Sequence, residues 1–308
     1  MAEANTNKTT WTIIKILDWT RQYFADKGVE NPRLDAEVLL CAVLGCGRVK
    51  LYVDFERPLS EAELAQYKGY VMRRAAFEPL AYILGERAFM RRSFKVTPAT
   101  LIPRPETELL AESVIKAVQL TGGLEDEVKI LDIGTGSGAI IVSLLDYLPK
   151  AKGVGADISV EALIVARENA EKIGVAQRCG FVRSDIFSRL PEEKKFDIIV
   201  SNPPYIPAAE IKTLARDVQQ EPLNALDGGS DGLDFYRRIT KDAARHMSAD
   251  SLLAFEIGIN QSQAVQELCR RAGFGRVAVR RDYAGIERMI FAAREGSKYA
   301  DVLLEISK

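Results

Sequence analysis

Histidine is nearly missing from this chain: His246 is the only one in 308 residues. One imidazole leaves no room for a histidine-ligated metal and makes a Ser-His-Asp or Cys-His engine a poor reading. Cysteine is scarce too. Cys41, Cys46, Cys179 and Cys269 form no C-x-x-C pair, so neither a zinc framework nor a disulfide scaffold is expected, and reduced thiols are. Neither sign of charge is in excess, with 42 Lys and Arg against 43 Asp and Glu. The whole chain therefore carries no electrostatic footprint for nucleic acid. No run approaches the ~18 apolar residues of a membrane span. The first residues, Met1 to Lys8, are polar and lack the apolar core of a leader. A cytoplasmic protein with no metal and no membrane contact is the expectation, and a monomer is the simplest state.

What is present is an ordinary globular composition, 47% hydrophobic and 28% charged, at a length that suggests about two domains. Residues 1–9 read as a loose tail. Residues 10–78 read as helical. Ile13, Ile16, Leu17, Thr20 and Phe24 share one helical face. Asn31-Pro32 marks a helix start, and Gly45 and Gly47 a stop. Ser60 with Glu63 has the spacing of a capping box, ahead of Leu64, Tyr67 and Val71. Trp11 and Trp19 are most simply core, with a partner surface as the alternative. Phe89, Phe94 and Val96 around Arg91-Arg92-Ser93 predict a hairpin or an extended linker. Two prolines, Pro103 and Pro105, then precede a helix through Leu110, Val114 and Ala117. For Arg104 and Glu106, a helix start, a salt bridge and a ligand contact all stay open.

Beyond residue 128, strand and helix patterns alternate. Strands are predicted at 128–133, 152–157, 180–184, 196–201, 251–257, 276–281 and 288–293, with helices at 137–147, 160–173, 232–246 and 260–272. Such alternation implies an α/β domain, a mostly parallel sheet covered by helices on both faces.

Two motifs carry chemistry. The first is Gly134-Thr135-Gly136-Ser137-Gly138, between the apolar strand Ile130-Leu131-Asp132-Ile133 and a helix opening at Ala139. Glycines there admit close backbone approach at the carboxyl edge of a sheet, where α/β proteins bind ligands. The third glycine comes too early for a dinucleotide fingerprint, so a nucleoside without pyrophosphate fits better. Asp157 ends the next strand, placed to hold two ribose hydroxyls, or alternatively to cap the helix at Val160. Asp185 ends the third strand and can accept from an adenine amine, with Ile186 packing on the ring; a turn role is the alternative. Asp132 could meet a ligand ammonium or tie down the glycine loop.

The second motif is Asn202-Pro203-Pro204-Tyr205, directly after the β-branched run Phe196 to Ser201. It suits a planar NH2 whose lone pair is delocalised. The Asn202 side-chain oxygen and the Pro203 carbonyl can each accept one N–H. The prolines stiffen the loop, and Tyr205 offers a flat wall. The two motifs together suggest methyl transfer from S-adenosylmethionine to an amide or amino nitrogen.

This order of motifs resembles the Rossmann-like class I methyltransferases that act on nitrogen, and more narrowly the HemK/PrmC family of release-factor glutamine methyltransferases. The resemblance covers nearly the whole chain. Arg33-Leu34-Asp35-Ala36-Glu37 is similar to that family's N-terminal bundle. Pro79 to Gly85 and Leu101 to Glu108 resemble its inter-domain signature, and Glu221-Pro222 through Gly228-Gly229 to Leu233 its segment after the catalytic loop. The resemblance implies a helical bundle over 1–86 that docks the substrate, a hairpin or linker over 87–104, and a methyltransferase domain with a seven-stranded sheet over 105–308. It implies that Gly134 to Gly138 and Asp157 bind S-adenosylmethionine. It also implies that Asn202 to Tyr205 hold the glutamine of a Gly-Gly-Gln tripeptide in a class 1 peptide-chain release factor. Ile186 departs from the family, which often has an aromatic there; apolar contact is kept and ring stacking lost. An adenine-N6 methyltransferase shares Asn-Pro-Pro-Tyr but should carry a basic groove. A non-catalytic binding module would have a degraded glycine turn.

Overall fold

The computed structural model describes residues 10–123, 125 and 127–308; the tail expected over residues 1–9 lies outside them. The chain divides into two units. One ends at Gly85 and also takes in Arg216–Gln220; the other comprises Glu86–Ala215 and Glu221–Lys308.

The first unit is helical: α1 (Ile13–Lys27), α2 (Pro32–Leu44), α3 (Arg48–Val53), α4 (Glu61–Ala75) and α5 (Leu80–Leu84). Ile13, Ile16, Thr20 and Phe24 are the buried stripe of α1, one residue or two per turn as the pattern requires. Gly28 and Gly45 end α1 and α2 in left-handed conformation. Pro32 opens α2, yet the Asn31 side chain makes no capping bond. The Ser60 and Glu63 box closes reciprocally at the start of α4. Inside, Tyr67 donates to the Ala36 carbonyl at 3.0 Å, and buried Arg74 bridges Asp35 at 2.6 Å and Asp217 at 3.2 Å. Trp19 corrects the sequence reading: it is 49% exposed and stacks on Tyr23 at 5.1 Å. Its position on α1 falls outside the buried stripe.

The second unit opens with a hairpin, β1 (Glu86–Phe89) and β2 (Arg92–Lys95), paired antiparallel. Phe89 and Phe94 are fully buried in the core beneath α6 (Pro105–Leu120). The remaining elements alternate: β3 (Lys129–Ile133), α7 (Ala139–Tyr147), β4 (Lys152–Asp157), α8 (Val160–Ile173), β5 (Cys179–Arg183), β6 (Phe196–Ser201), α9 (Asp234–His246), β7 (Met247–Glu256), α10 (Ser262–Arg271), β8 (Arg276–Arg281), β9 (Glu287–Ala293) and α11 (Lys298–Ile306). Seven strands form one sheet in the order β5-β4-β3-β6-β7-β9-β8, with only β9 antiparallel to its neighbours. β7 starts four residues before its predicted position. Two apolar cores sandwich the sheet, as a sheet buried on both faces demands. Chain order reverses between β3 and β6, so a crevice opens beyond their carboxyl ends. Among the described residues no helix is long and apolar enough to cross a membrane.

Candidate active site

That crevice is a cavity of about 1000 Å³. Gly134 and Gly136 after β3, Asp157 after β4, Asp185 and Ile186 after β5, and Asn202 to Pro204 after β6 all line it. Four separate strand ends thus meet at one site because parallel strands place their carboxyl ends on the same edge.

The glycine turn is held from below. Gly134 and Thr135 donate backbone N–H to the Ala156 carbonyl at 2.8 and 3.0 Å. Gly136 (φ 55°) donates to Asp157 Oδ2 at 2.8 Å. Asn169 on α8, fully buried, donates from Nδ2 to the Ser137 carbonyl at 2.8 Å and binds both backbone groups of Lys95. The one signal for Asn169 in the sequence is a polar residue on the otherwise apolar face of α8.

Asp132 is 0% exposed and lies behind the cavity wall rather than on it. Its Oδ2 accepts from Thr135 Oγ1 at 2.7 Å, so it secures the loop through that side chain. Its Oδ1 finds no hydrogen-bond partner among the described residues. Burial pushes the carboxyl up to about 7. Thr135, Ser137 and Gly138 also stand behind the wall, buried. Asp157 lines the cavity while accepting from Gly136 and, at 2.9 Å, from the Ser159 backbone. Burial raises its pKa and the backbone bonds oppose the rise. The cap of α8 is Ser159, not Asp157.

Asp185 is on the wall but its carboxylate pairs with Arg238 of α9 at 2.6 Å. A role toward an adenine amine therefore competes with an ion pair that the sequence did not suggest. Ile186 sits at φ 53°, a conformation costly for a β-branched residue. Ser184 Oγ to the Ile186 carbonyl, 2.8 Å, and Ser188 Oγ to the Asp185 N–H, 3.1 Å, hold the turn.

The loop after β6 is built against backbone. Gly228 and Gly232 lie so close that a Cβ on Gly228 would come within 2.8 Å of the Tyr205 Cα, and one on Gly232 within 2.3 Å of the Tyr205 carbonyl oxygen. Ile206 bridges Asp227 in parallel, donating to the Leu226 carbonyl at 3.0 Å and accepting from the Gly228 N–H at 2.9 Å, and Gln261 donates to the Tyr205 carbonyl at 2.9 Å. Arg104 is accounted for here. It pairs with Glu221, whose other oxygen accepts the Ile102 N–H at 2.9 Å. Tyr205 is turned inward. Its ring packs beside Gly258 and off the cavity wall, and its hydroxyl points at Glu256 Oε1, 3.5 Å away.

Two residues missed by sequence reasoning stand behind Asn202. Its Nδ2 donates to Thr107 Oγ1 at 3.2 Å, and Thr107 donates to Glu256 Oε2 at 2.6 Å. Glu256 is 2% exposed, and burial pushes its carboxyl up to about 7. Asn202 Oδ1 accepts no hydrogen bond among the described residues and belongs to a residue on the cavity wall.

Comparison with known proteins places this geometry. A family described as PrmC N-terminal domain matches residues 15–85, and one described as Methyltransferase domain matches residues 124–248. A release factor glutamine methyltransferase of Geobacter sulfurreducens is 46% identical over 281 residues, 91% of this chain and 96% of the relative. One of Moorella thermoacetica is 45% identical over 268 residues, 87% of this chain and 93% of the relative. Among solved structures, the hMettl16 catalytic domain in complex with a MAT2A 3'UTR hairpin aligns with a TM-score of 0.52 at 16% identity, over 77% of this chain and 84% of that one. At that identity the likeness is one of fold.

Proposed function

The chain belongs to the release factor glutamine methyltransferase family, and from that premise we propose that it methylates the side-chain amide nitrogen of a glutamine in class 1 peptide-chain release factors, using S-adenosylmethionine. The observation that carries this reading is Asn202. It stands at the end of β6 on the same cavity as the glycine turn, its amide NH2 engaged by Thr107 and its Oδ1 left as an acceptor.

The residues present suit the cofactor. The cavity is large enough for a nucleoside and a peptide side chain together. Gly134 presents bare backbone, with nothing within 4 Å of where a Cβ would stand. Asp157 keeps a carboxylate on the wall for ribose hydroxyls, and Ile186 an apolar face for the base. S-adenosylmethionine supplies a methyl group already activated on a sulfonium.

The protein's task is then to make a poor nucleophile reach it. An amide nitrogen has its lone pair in resonance. Asn202 Oδ1 and the Pro203 carbonyl would each take one N–H, favouring a pyramidal nitrogen with its lone pair free. Each bond contributes ~0.5–1.5 kcal/mol in the ground state and more as positive charge develops on nitrogen. Alignment of the two reactants can contribute up to ~7–11 kcal/mol. The nitrogen loses its proton to water after transfer, since a methylated, protonated amide is strongly acidic. No histidine is required.

The helical unit is read as the docking surface for the protein substrate. Its exposed apolar residues, among them Val49, Val53 and Phe55, support that reading. The test of the activity is transfer of labelled methyl to a class 1 release factor, beside the same factor with Gln→Ala in its Gly-Gly-Gln loop and beside duplex DNA. Label on the native factor alone is expected. Label on DNA, or on none of the three, would overturn the reading.

A further inference from the structure

We propose that Glu256 is a positioning residue whose carboxylate, acting through the Thr107 hydroxyl, holds the Asn202 amide with its oxygen turned toward the substrate nitrogen. The proposal rests on the amide-methylation reading above and deepens it.

The argument is one of hydrogen-bond polarity. A threonine hydroxyl has a single proton, and an ionised carboxylate can only accept. At 2.6 Å from Glu256 Oε2, the Thr107 proton lies toward the carboxylate. Thr107 Oγ1 then offers only lone pairs to its other neighbour. The Asn202 atom 3.2 Å away must be the donor, Nδ2, and Oδ1 faces the opposite way. Reversed, the amide would set oxygen against oxygen at Thr107 and N–H against the N–H of the incoming NH2. Thr107 is the only side-chain partner of Asn202 among the described residues, so the sense of the amide hangs on this one contact.

Glu256 is placed for the part. It is the last residue of β7, beside the end of β6, and 2% exposed. Burying a carboxylate without an ion pair is costly, and none at salt-bridge distance is found among the described residues. Arg288 on β9 is turned to Asp282 at 3.2 Å. The second oxygen, Oε1, faces the Tyr205 hydroxyl at 3.5 Å, so Glu256 reaches the catalytic loop from both sides. Tyr236 fixes its backbone carbonyl at 2.8 Å. Burial raises the carboxyl to about 7, against the bond from Thr107 and the charge of Arg288, with Glu106 adding to the rise and the Tyr205 bond opposing it. A proton on Oε2 would make Glu256 the donor, send the Thr107 proton toward Asn202 and reverse the amide. The active form is the carboxylate.

The test uses the full chain with Glu256→Gln, Thr107→Val and Thr107→Ser, measuring kcat, KM for the release factor, S-adenosylmethionine affinity and melting temperature from pH 6 to 9. Wild type is expected to lose kcat as pH falls through about 7. Glu256→Gln and Thr107→Val should lose kcat roughly 10- to 100-fold and lack that acid limb, with cofactor affinity within about two-fold. Thr107→Ser, which keeps the hydroxyl, should stay near wild type. A Glu256→Gln enzyme with wild-type kcat and the same acid limb would overturn the proposal while leaving the function standing. If Glu256→Gln does not fold, equal kcat in Thr107→Val and Thr107→Ser overturns it. Wild type that transfers no methyl to the factor would overturn the function and this role together.

Discussion

Thr107 and Glu256 are 149 residues apart in the chain and joined by a 2.6 Å hydrogen bond inside the α/β unit. One lies in the first turn of α6, the other at the last position of β7. Their bond passes to Asn202, so a helix outside the sheet and a strand inside it jointly set one side chain on the cavity wall. A loop stiffened by prolines still leaves its asparagine side chain free to turn, and the contact that holds Asn202 comes from elsewhere in the fold.

Asp157 holds the Gly136 N–H and faces the cavity. Asp157→Ala removes the acceptor of the Gly136 N–H and the acid proposed for the ribose. Charge-assisted bonds are worth ~1.5–3 kcal/mol each, so affinity for S-adenosylmethionine should fall about 10- to 100-fold or more. Calorimetric titration reads this directly. Unchanged affinity would remove Asp157 from the cofactor site.

Gly228→Ala tests the packing of the loop after β6 and the catalytic role proposed for it. The added methyl would meet the Tyr205 Cα at 2.8 Å and the Pro204 carbonyl oxygen at 2.9 Å, both backbone atoms that cannot step aside alone. Displacement of the Asn202 to Tyr205 loop should lower kcat about 100-fold, since misplacement near 1 Å has that scale. Cofactor affinity should change far less. Loss of affinity with kcat intact would be the contrary result.

Asp132 predicts a pH-linked stability. Burial raises its carboxyl from 3.8 to about 7 in the folded chain. A group raised on folding contributes stability that is present below its unfolded pKa and lost as pH climbs to the folded value. The window is therefore pH 4 to 7. Asp132→Asn lacks this loss, so its stability relative to wild type should improve across that window by on the order of 4 kcal/mol. Urea unfolding of both proteins at pH 5 and pH 8 provides the check; a pH-independent difference would contradict the buried acid.

The helical unit carries Val49 at 77% and Val53 at 71% exposure on the short helix α3. If this surface docks the release factor, Val49→Glu with Val53→Glu should raise KM for the intact factor about 100-fold, the scale of burying two such side chains. Binding of S-adenosylmethionine and the melting temperature should not move. An unchanged KM would place docking elsewhere.

Much of the site was legible from the chain alone because its signals are local. A glycine turn between an apolar strand and a helix, an acid at the next strand end, and Asn-Pro-Pro-Tyr after a β-branched run are all read within a few neighbouring residues. The capping box of Ser60 and Glu63 is the same kind of signal. Trp19 was misjudged because a tryptophan just off the buried stripe of α1 looks like core by composition. Asp185 was read toward a ligand because its partner Arg238 is 53 residues away.

Alternation of strand and helix, the position of the glycine turn and the stiffness of the Asn-Pro-Pro-Tyr loop follow from the sequence itself, since backbone dihedrals and side-chain periodicity are properties of short segments. Which polar atoms meet was decided only by the tertiary structure. Thr107, Asn169 and Glu256 look like ordinary helix and strand residues until folding removes water from around them. A buried donor or acceptor must then find a partner at any chain distance. For Asn202 that partner is Thr107, and through it the buried carboxylate of Glu256.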